Sequence, residues 1–370
     1  MGDQYRLITE VNEVIYINDE ILNYAEILNK ISVEIIDTDG TSGLLSGDFQ
    51  VSEKTWNSDI YVMADDAYSS VFWRDQYGVY DIEPEYLYPI VRNLPVFPEE
   101  ELEVGDTWAA MGEEVHDLSA FGYEELLKIP INVYYEYTEK RNINGTNVCV
   151  LNIEYISIKN FNEIPPPGVI ELFKIAGNSK QEYLWDLDRG RPYSYMDEFN
   201  FLYVFSNGNI VQFEGTSSGE VILSEELDKD AVADEIQKEI DEKGLEDVTV
   251  TTDDDGIIIT LENIQFMPDS FELMESEKEK LEQVALILGN YPGRDLLITG
   301  HTAFAGIMRG LQQLSEDRAR AVADFLLLFG ARESNEMIIQ GMGPDMPIAD
   351  NRTEEGKQRN RRVEIKILEN

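Results

Sequence analysis

Along most of the first 217 positions, apolar and polar residues alternate with a period of two, the pattern of strands with one face on a core and one in water. The runs at 14–18, 31–36, 47–52, 59–63 and 70–74 predict strands on this basis. A Pro-rich acidic stretch at 88–107 reads as an extended connection across the surface. A second series of alternating runs follows it, punctuated by Asn144-Gly145, Arg189-Gly190 and Asn207-Gly208, where tight hairpin turns need positive φ. The region 1–217 is therefore predicted to be antiparallel β, a sandwich or an open barrel, with 88–107 a candidate break between two subdomains. Its Trp, Tyr and Phe residues are read as core and cross-strand pairs.

From Ser224 the period changes. Val232, Ile236 and Ile240 share one helical face, and Gly244 supplies a stop. A hairpin follows, so that 218–255 reads as a helix-strand connector leading into a third region, 256–370. There Ser276 and Glu279 read as a capping box before a stripe of Leu281, Val284, Ala285 and Leu288. Residues 296–301 read as a short buried strand. Ser315, with Glu316 and Asp317 behind it, reads as the cap of a second helix that faces Val322, Phe325, Leu326 and Phe329 inward and ends at Gly330. Two further strands at 336–341 and 362–367 complete a βαβαββ order with helices on one sheet face. The fold class predicted for the chain is α+β and multidomain.

Composition changes this picture in several ways. The 370 residues suffice for two or three domains. No apolar run is long enough for a membrane-spanning helix. The start lacks the basic and apolar regions of an export signal, and any membrane association is expected to need a segment outside these residues. The net charge of -44 is uneven. From Ile257 onward there are 13 basic and 19 acidic residues, net -6, which leaves 16 basic and 54 acidic residues before it, net -38. Such a field repels nucleic acid and anionic headgroups, so neither is expected as a partner. The single cysteine, Cys149, lies in an apolar run and reads as a buried side chain, which excludes a disulfide framework and a Cys-based metal site. Asp253, Asp254 and Asp255 lack the spacing of a calcium loop. No cofactor and no metal is expected.

One C-terminal stretch carries more specific information. Gly300, His301, Thr302, Gly306, Leu314, Ser315, Arg318 and Ala319 fit the string GHTDxxGxxxYNxxLSxxRA. Gly341, Gly343, Pro347, Ala349, Asn351, Thr353, Gly356 and Asn360 to Ile365 fit GxGxxxPxAxNxTxxGRxxNRRVEI, and 264–273 fits the opening xxFxxDSxxL. On these residues the last third of the chain resembles the OmpA-like domain of OmpA, Pal and MotB-type envelope proteins.

The resemblance implies a pocket for the zwitterionic end of the diaminopimelate in peptidoglycan. In the family an Asp closing the GHTD string meets the ammonium and the Arg of LSxxRA meets the carboxylate. A loop Asn and the first Arg of NRR add hydrogen bonds. Here Arg318 and Arg361 keep their places, beside His301 and Thr302, whereas Ala303 and Leu311 stand where the family has Asp and Asn. The remnant pocket is therefore expected to be cationic and to have lost diaminopimelate, unless Asp317 or Asp345 neutralises Arg318. Arg318 can equally be a helix-surface residue paired locally. Of Arg361 and Arg362, one is expected to face the pocket and the other to be solvated. His301 is read as a structural hydrogen-bonding residue.

The adjoining loop is apolar at Phe304, Ala305, Ile307, Met308 and Leu311, which marks a contact surface. It is expected to pack against the β region or the helix at 224–244. The resemblance places the protein in the periplasm, free or associated with the outer membrane, and expects weak or absent peptidoglycan binding or another envelope protein as partner. A structural or interaction role without enzymatic activity is one reading. A peptidoglycan tether of altered preference using Arg318 and Arg361 is the other. An enzyme would need a deep pocket around His116 with Asp117 or Glu114.

Overall fold

The computed structural model describes residues 4–54, 60–64, 67–121, 123, 125–161, 170–222, 227–253, 255–266, 271–304 and 308–368, the side chains of Ala120, Met308 and Arg309 excepted. It divides into two compact units, Met1–Val51 with Asp65–Leu223, and Ser52–Ala64 with Ser224–Asn370. The boundary thus differs from the predicted one. Residues 52–64, assigned by their alternation to the first region, belong to the second unit, as does the connector from 224 onward.

The strands are β1 (Gln4–Ile17), β2 (Glu20–Thr38), β3 (Ser42–Lys54), β4 (Tyr61–Met63), β5 (Tyr68–Asp75), β6 (Tyr80–Ile82), β7 (Val91–Arg92), β8 (Thr107–His116), β9 (Leu127–Ile143), β10 (Thr146–Asn160), β11 (Leu172–Asp186), β12 (Arg191–Phe205) and β13 (Ile210–Ile222). In the first unit β7 to β13 pair in sequence, each antiparallel to the next, and the ladder continues from β13 through β1 to β2. A second antiparallel set joins β3, β5 and β6. The Asn144-Gly145 turn between β9 and β10 has φ of 51° and 91°, the left-handed geometry its sequence requires.

Aromatic residues do sit in the core, as their alternation predicts. Trp108 stacks on Tyr135 at 5.0 Å, and Trp185 and Tyr155 are buried. Cross-strand glycines make room for others. A Cβ on Gly177 would lie 2.1 Å from the Phe201 ring opposite, and one on Gly219 would lie 2.2 Å from Tyr195. Burial pushes the Cys149 thiol up to about 11, which keeps it protonated and unreactive.

The stretch at 88–107 does not run over the surface. Val91, Leu94, Phe97 and Leu102 pack onto the core, Trp108 Nε1 donates to the Val96 carbonyl at 2.7 Å, and Arg92 is 2% exposed. Its recurring apolar residues find more area to bury against the sheet than its Pro and acidic content suggested.

The second unit adds α1 (Lys229–Lys243), β14 (Val248–Asp253), β15 (Gly256–Glu262), α2 (Glu275–Leu288), β16 (Leu296–Gly300), α3 (Met308–Leu328), β17 (Met337–Gly341), α4 (Glu354–Asn360) and β18 (Arg362–Leu368). The sheet order is β14, β15, β18, β16, β17, β4. The pairs of β17 with β16 and with β4 are parallel, the rest antiparallel. Ile236, Leu281, Val284, Leu288, Val322 and Leu326 share one core with Ile257, Ile298, Ile339 and Ile365. No described helix is long and apolar enough to cross a membrane.

Local details depart from the sequence reading. The helix α2 follows Met274 as N-cap with no side-chain cap bond, so Ser276 does not cap it. The helix α3 begins seven residues before Ser315, which lies inside it. Phe329 follows the helix and is 45% exposed, stacked on Phe325. The short helix α4, capped by Thr353 Oγ1 accepting from the Gly356 amide, lies between β17 and β18 and was not foreseen. Asp253 accepts the amides of Asp255 and Gly256 and pairs with Lys366 at 2.7 Å, which occupies its carboxylate; Asp254 lies outside the described residues.

Candidate functional site

The site is built where the C-terminal ends of two parallel strands meet α3. Gly300 closes β16 opposite Gly341, which closes β17. A Cβ on Gly300 would lie 2.0 Å from the Ser315 carbonyl, and one on Gly341 would lie 2.7 Å from the Glu316 amide. Only glycine at both positions lets the helix backbone come this close. Ser315 then links helix to loop, since Oγ donates to the Gln312 carbonyl at 2.6 Å and accepts the Gly343 amide at 2.9 Å.

His301, Thr302 and Ala303 follow β16 directly and are 4%, 4% and 5% exposed. Their backbone is anchored, with His301 N donating to the Arg362 carbonyl at 3.0 Å and Thr302 N to that of Gly343 at 2.8 Å. Arg318 projects from α3 over the ring of Phe266, with the guanidinium carbon 4.8 Å from its centroid. Its Nε is buried with no hydrogen-bond partner among the described residues. Burial lowers its pKa from the ordinary arginine value, and the nearby charge of Arg361 lowers it further. Arg318 and Arg361 thus lie close enough for their charges to act on each other. Among the described residues neither Asp317 nor Asp345 pairs with Arg318, and Asp317 instead accepts from Gln313 Nε2 at 3.1 Å. Arg361 also acts on Glu354, whose carboxylate is held by Lys357 at 2.7 Å. The expectation of a locally paired Arg318 is not met.

Behind this pair lies a buried ionic group. Arg362, expected to be solvated if Arg361 faces the pocket, is 4% exposed. Its Nε donates to Glu364 Oε1 at 2.7 Å and its Nη1 to the Met346 carbonyl at 3.1 Å. His301 Nε2 lies 3.5 Å from Glu364 Oε2. Burial raises the Glu364 pKa, but His301 and Arg362 outweigh it and hold the carboxyl down at about 2. Arg362 is thus committed to partners inside the protein, while His301 Nδ1 has no hydrogen-bond partner among the described residues.

Sequence reading missed the working part of Asn360, although it matches the motif. At 1% exposure, its Oδ1 accepts the amides of Ile348 and Ala349, both at 2.9 Å. Its Nδ2 donates to the Ala349 carbonyl and to Asn351 Oδ1, both at 2.9 Å. Asn351 Oδ1 in turn accepts the Phe304 amide at 3.1 Å. The motif's paired asparagines thus fix the turn that carries the apolar loop. Phe266 was missed as well, and its place in the matched opening string was the only signal for it.

Within the apolar loop Phe304 is 57% exposed and Leu311, in the first turn of α3, is half-buried. The helix α1, proposed as cover, packs on β14, β15 and α2 instead. Phe304 is therefore not covered by α1, which is committed to the opposite edge of the sheet. Ala305, Ile307 and the side chain of Met308 lie outside what the structure describes.

In the first unit Glu114 is 2% exposed, with Tyr155 OH donating to Oε1 at 2.8 Å and His116 Nε2 at 3.3 Å from Oε2. His116 Nδ1 is 2.9 Å from Tyr203 OH. Asp117 is exposed and accepts the Ser119 amide at 2.8 Å. A hollow of 630 Å³ lies against β1, β2 and β11 to β13, and neither Glu114 nor His116 lines it. The polar group is thus saturated by its own partners.

With this geometry in hand, comparison with known proteins is informative. The OmpA family profile matches residues 265–361. Over 121 residues the chain is 37% identical to the probable lipoprotein YiaD of Escherichia coli, covering 32% of this chain and 55% of that protein. It is 32% identical over 146 residues to outer membrane porin F of Pseudomonas aeruginosa, covering 38% and 41%. It is 36% identical over 104 residues to the peptidoglycan-binding protein ArfA of Mycobacterium tuberculosis, covering 28% and 32%. The chain spans about half or less of the length of these relatives. The span matched by the family contains Phe266, His301, Arg318, Asn351, Asn360 and Arg361, and residues 265–361 of this chain are an OmpA family domain.

Proposed function

We propose that the chain is a non-enzymatic cell-envelope protein of the periplasmic side, with its OmpA family domain in a structural or interaction role and without family-type diaminopimelate binding. The names of its relatives, a probable lipoprotein, an outer membrane porin and a peptidoglycan-binding protein, support the envelope assignment. The loss of binding rests on one observation. Ala303 is buried at the end of the His301 turn, at the place of the family's acid, while Arg318 has no carboxylate partner among the described residues. A zwitterion would leave its ammonium without a counter-charge. Removing one partner of a buried charge pair costs about 2–5 kcal/mol, which is roughly 30-fold to several thousand-fold in affinity.

The test is titration with a diaminopimelate-containing muropeptide and a pull-down with intact peptidoglycan, comparing wild type with Ala303→Asp. A silent wild type and a binding variant support the proposal. Tight wild-type binding that Ala303→Asp does not improve overturns it.

A second reading has its own support in Arg318 Nε, which has no hydrogen-bond partner among the described residues. On that reading the domain tethers the protein to peptidoglycan through Arg318 and Arg361 with a different ligand preference. Loss of wild-type pull-down in Arg318→Ala would establish it.

A further inference from the structure

The OmpA family match begins at residue 265, yet the sheet of the second unit ends in a strand from far earlier in the chain. On one side β17 pairs with β16, and on the other it pairs parallel with β4, Ile338 opposite Tyr61 and Ile339 opposite Val62. In turn β4 is antiparallel to the end of β3, Ser52 opposite Met63 and Lys54 opposite Tyr61. The strand is short but deeply set. Ile60 is 0% exposed and lies in the same core as Ile339 and Ile298, Val62 packs against that core, and Tyr61 is 7% exposed.

Without β4 the β17 edge would present unpaired backbone groups flanked by buried isoleucines, a template for another strand. We propose that residues 60–63 are an intramolecular strand donor that closes the acceptor edge of this OmpA family domain and keeps the β17 edge of a second copy from pairing with it. The chain passes between the two units at 51/52, 64/65 and 223/224, so the donor strand reaches the sheet only by leaving and re-entering the first unit. Completion of the domain therefore depends on a segment outside its own matched span.

The test is native-state hydrogen exchange on the full chain, with sedimentation in parallel. Successive residues of a strand point their N–H groups to opposite sides. Of Tyr61→Pro and Val62→Pro, one therefore breaks the pairing with β17 and the other the pairing with β3. In wild type, the β17 amides that face β4 should be as protected as those that face β16. One proline variant should speed exchange of the β4-facing set alone by at least ~10-fold and produce a concentration-dependent dimer. Wild-type β4-facing amides that exchange like a free edge overturn the proposal without any variant. So does an opened edge in a variant that stays monomeric at all concentrations.

Discussion

The guanidinium of Arg318 lies 4.8 Å from the ring centroid of Phe266, while its Nε is buried without a partner among the described residues. A cation over a ring gains about 0.5–2 kcal/mol, and an unmet buried donor costs about 1–3 kcal/mol. The buried guanidinium is therefore poorly compensated by the described residues, and an anion would relieve it. Acetate should raise the unfolding temperature of wild type and leave that of Arg318→Met unchanged. At ten times its dissociation constant the effect corresponds to about 1.4 kcal/mol, read by calorimetry as the difference between the two proteins. Equal shifts in both would exclude Arg318 as the anion site.

Asn360 uses both its donors and its acceptor inside the protein at 1% exposure. Asn360→Ala leaves the amides of Ile348 and Ala349 without an acceptor. At about 1 kcal/mol or more for each lost bond, the second unit should lose roughly 2–4 kcal/mol in denaturant unfolding. Exchange at 348–351 should rise before the rest of the unit opens.

The approach of α3 to the sheet depends on Gly300 and Gly341. A methyl at either position meets helix backbone at 2.0 Å or 2.7 Å, which no side-chain motion relieves. Gly300→Ala should cost about 1–3 kcal/mol or more, the range for overpacking. Gly310, in the first turn of α3 with nothing within 4 Å of its added Cβ, is the control. Gly310→Ala should be neutral or stabilise by up to about 1 kcal/mol through helix propensity.

The two units should respond to acid in opposite senses. Burial, with a smaller contribution from Glu114, pushes the Asp197 carboxyl up to about 6, against hydrogen bonds from Ser179, Lys180 and Gln181. Its folded pKa is raised, so its contribution is full below the unfolded value of about 4 and is lost as pH rises through about 6. Asp197→Asn should remove that slope and stabilise the first unit at pH 7 by about 2–3 kcal/mol. The Glu364 carboxyl is held down at about 2, so its contribution is present above the unfolded value and is lost as pH falls toward 2. Glu364→Gln should flatten that acid limb in the second unit. Hydrogen exchange resolved by peptide separates the units, and parallel pH profiles in both would contradict the assignment.

Much of the fold was legible because it is written in local periods. The alternating runs of β1 to β5 and β9 to β13, the positive-φ turns, the Ile236 and Ile240 face of α1 and the core stripes of α2 and α3 all follow from spacing alone. The grouping of His301, Thr302, Ala303, Arg318 and Arg361 was an expectation of the family resemblance, and all five lie within the matched residues 265–361. Helix starts were less legible. Ser315 has the chemistry of a cap, but its hydroxyl serves Gln312 and Gly343 within a helix already under way.

The sequence by itself determined most of the strands and helices, though not α4 or the start of α3, and where the acidic excess lies. Each of these depends on residue type and on neighbours a few positions away. Only the tertiary structure decided what surrounds those side chains. It buried Arg362 against Glu364, left Phe304 in solvent, left Arg318 Nε without a partner among the described residues, and drew Ile60 into a core formed by residues from Ile236 onward. An alternating run such as 59–63 says that a strand needs an apolar face and a paired edge. Which sheet supplies them is settled by the competition among all available edges for the same backbone hydrogen bonds and buried area.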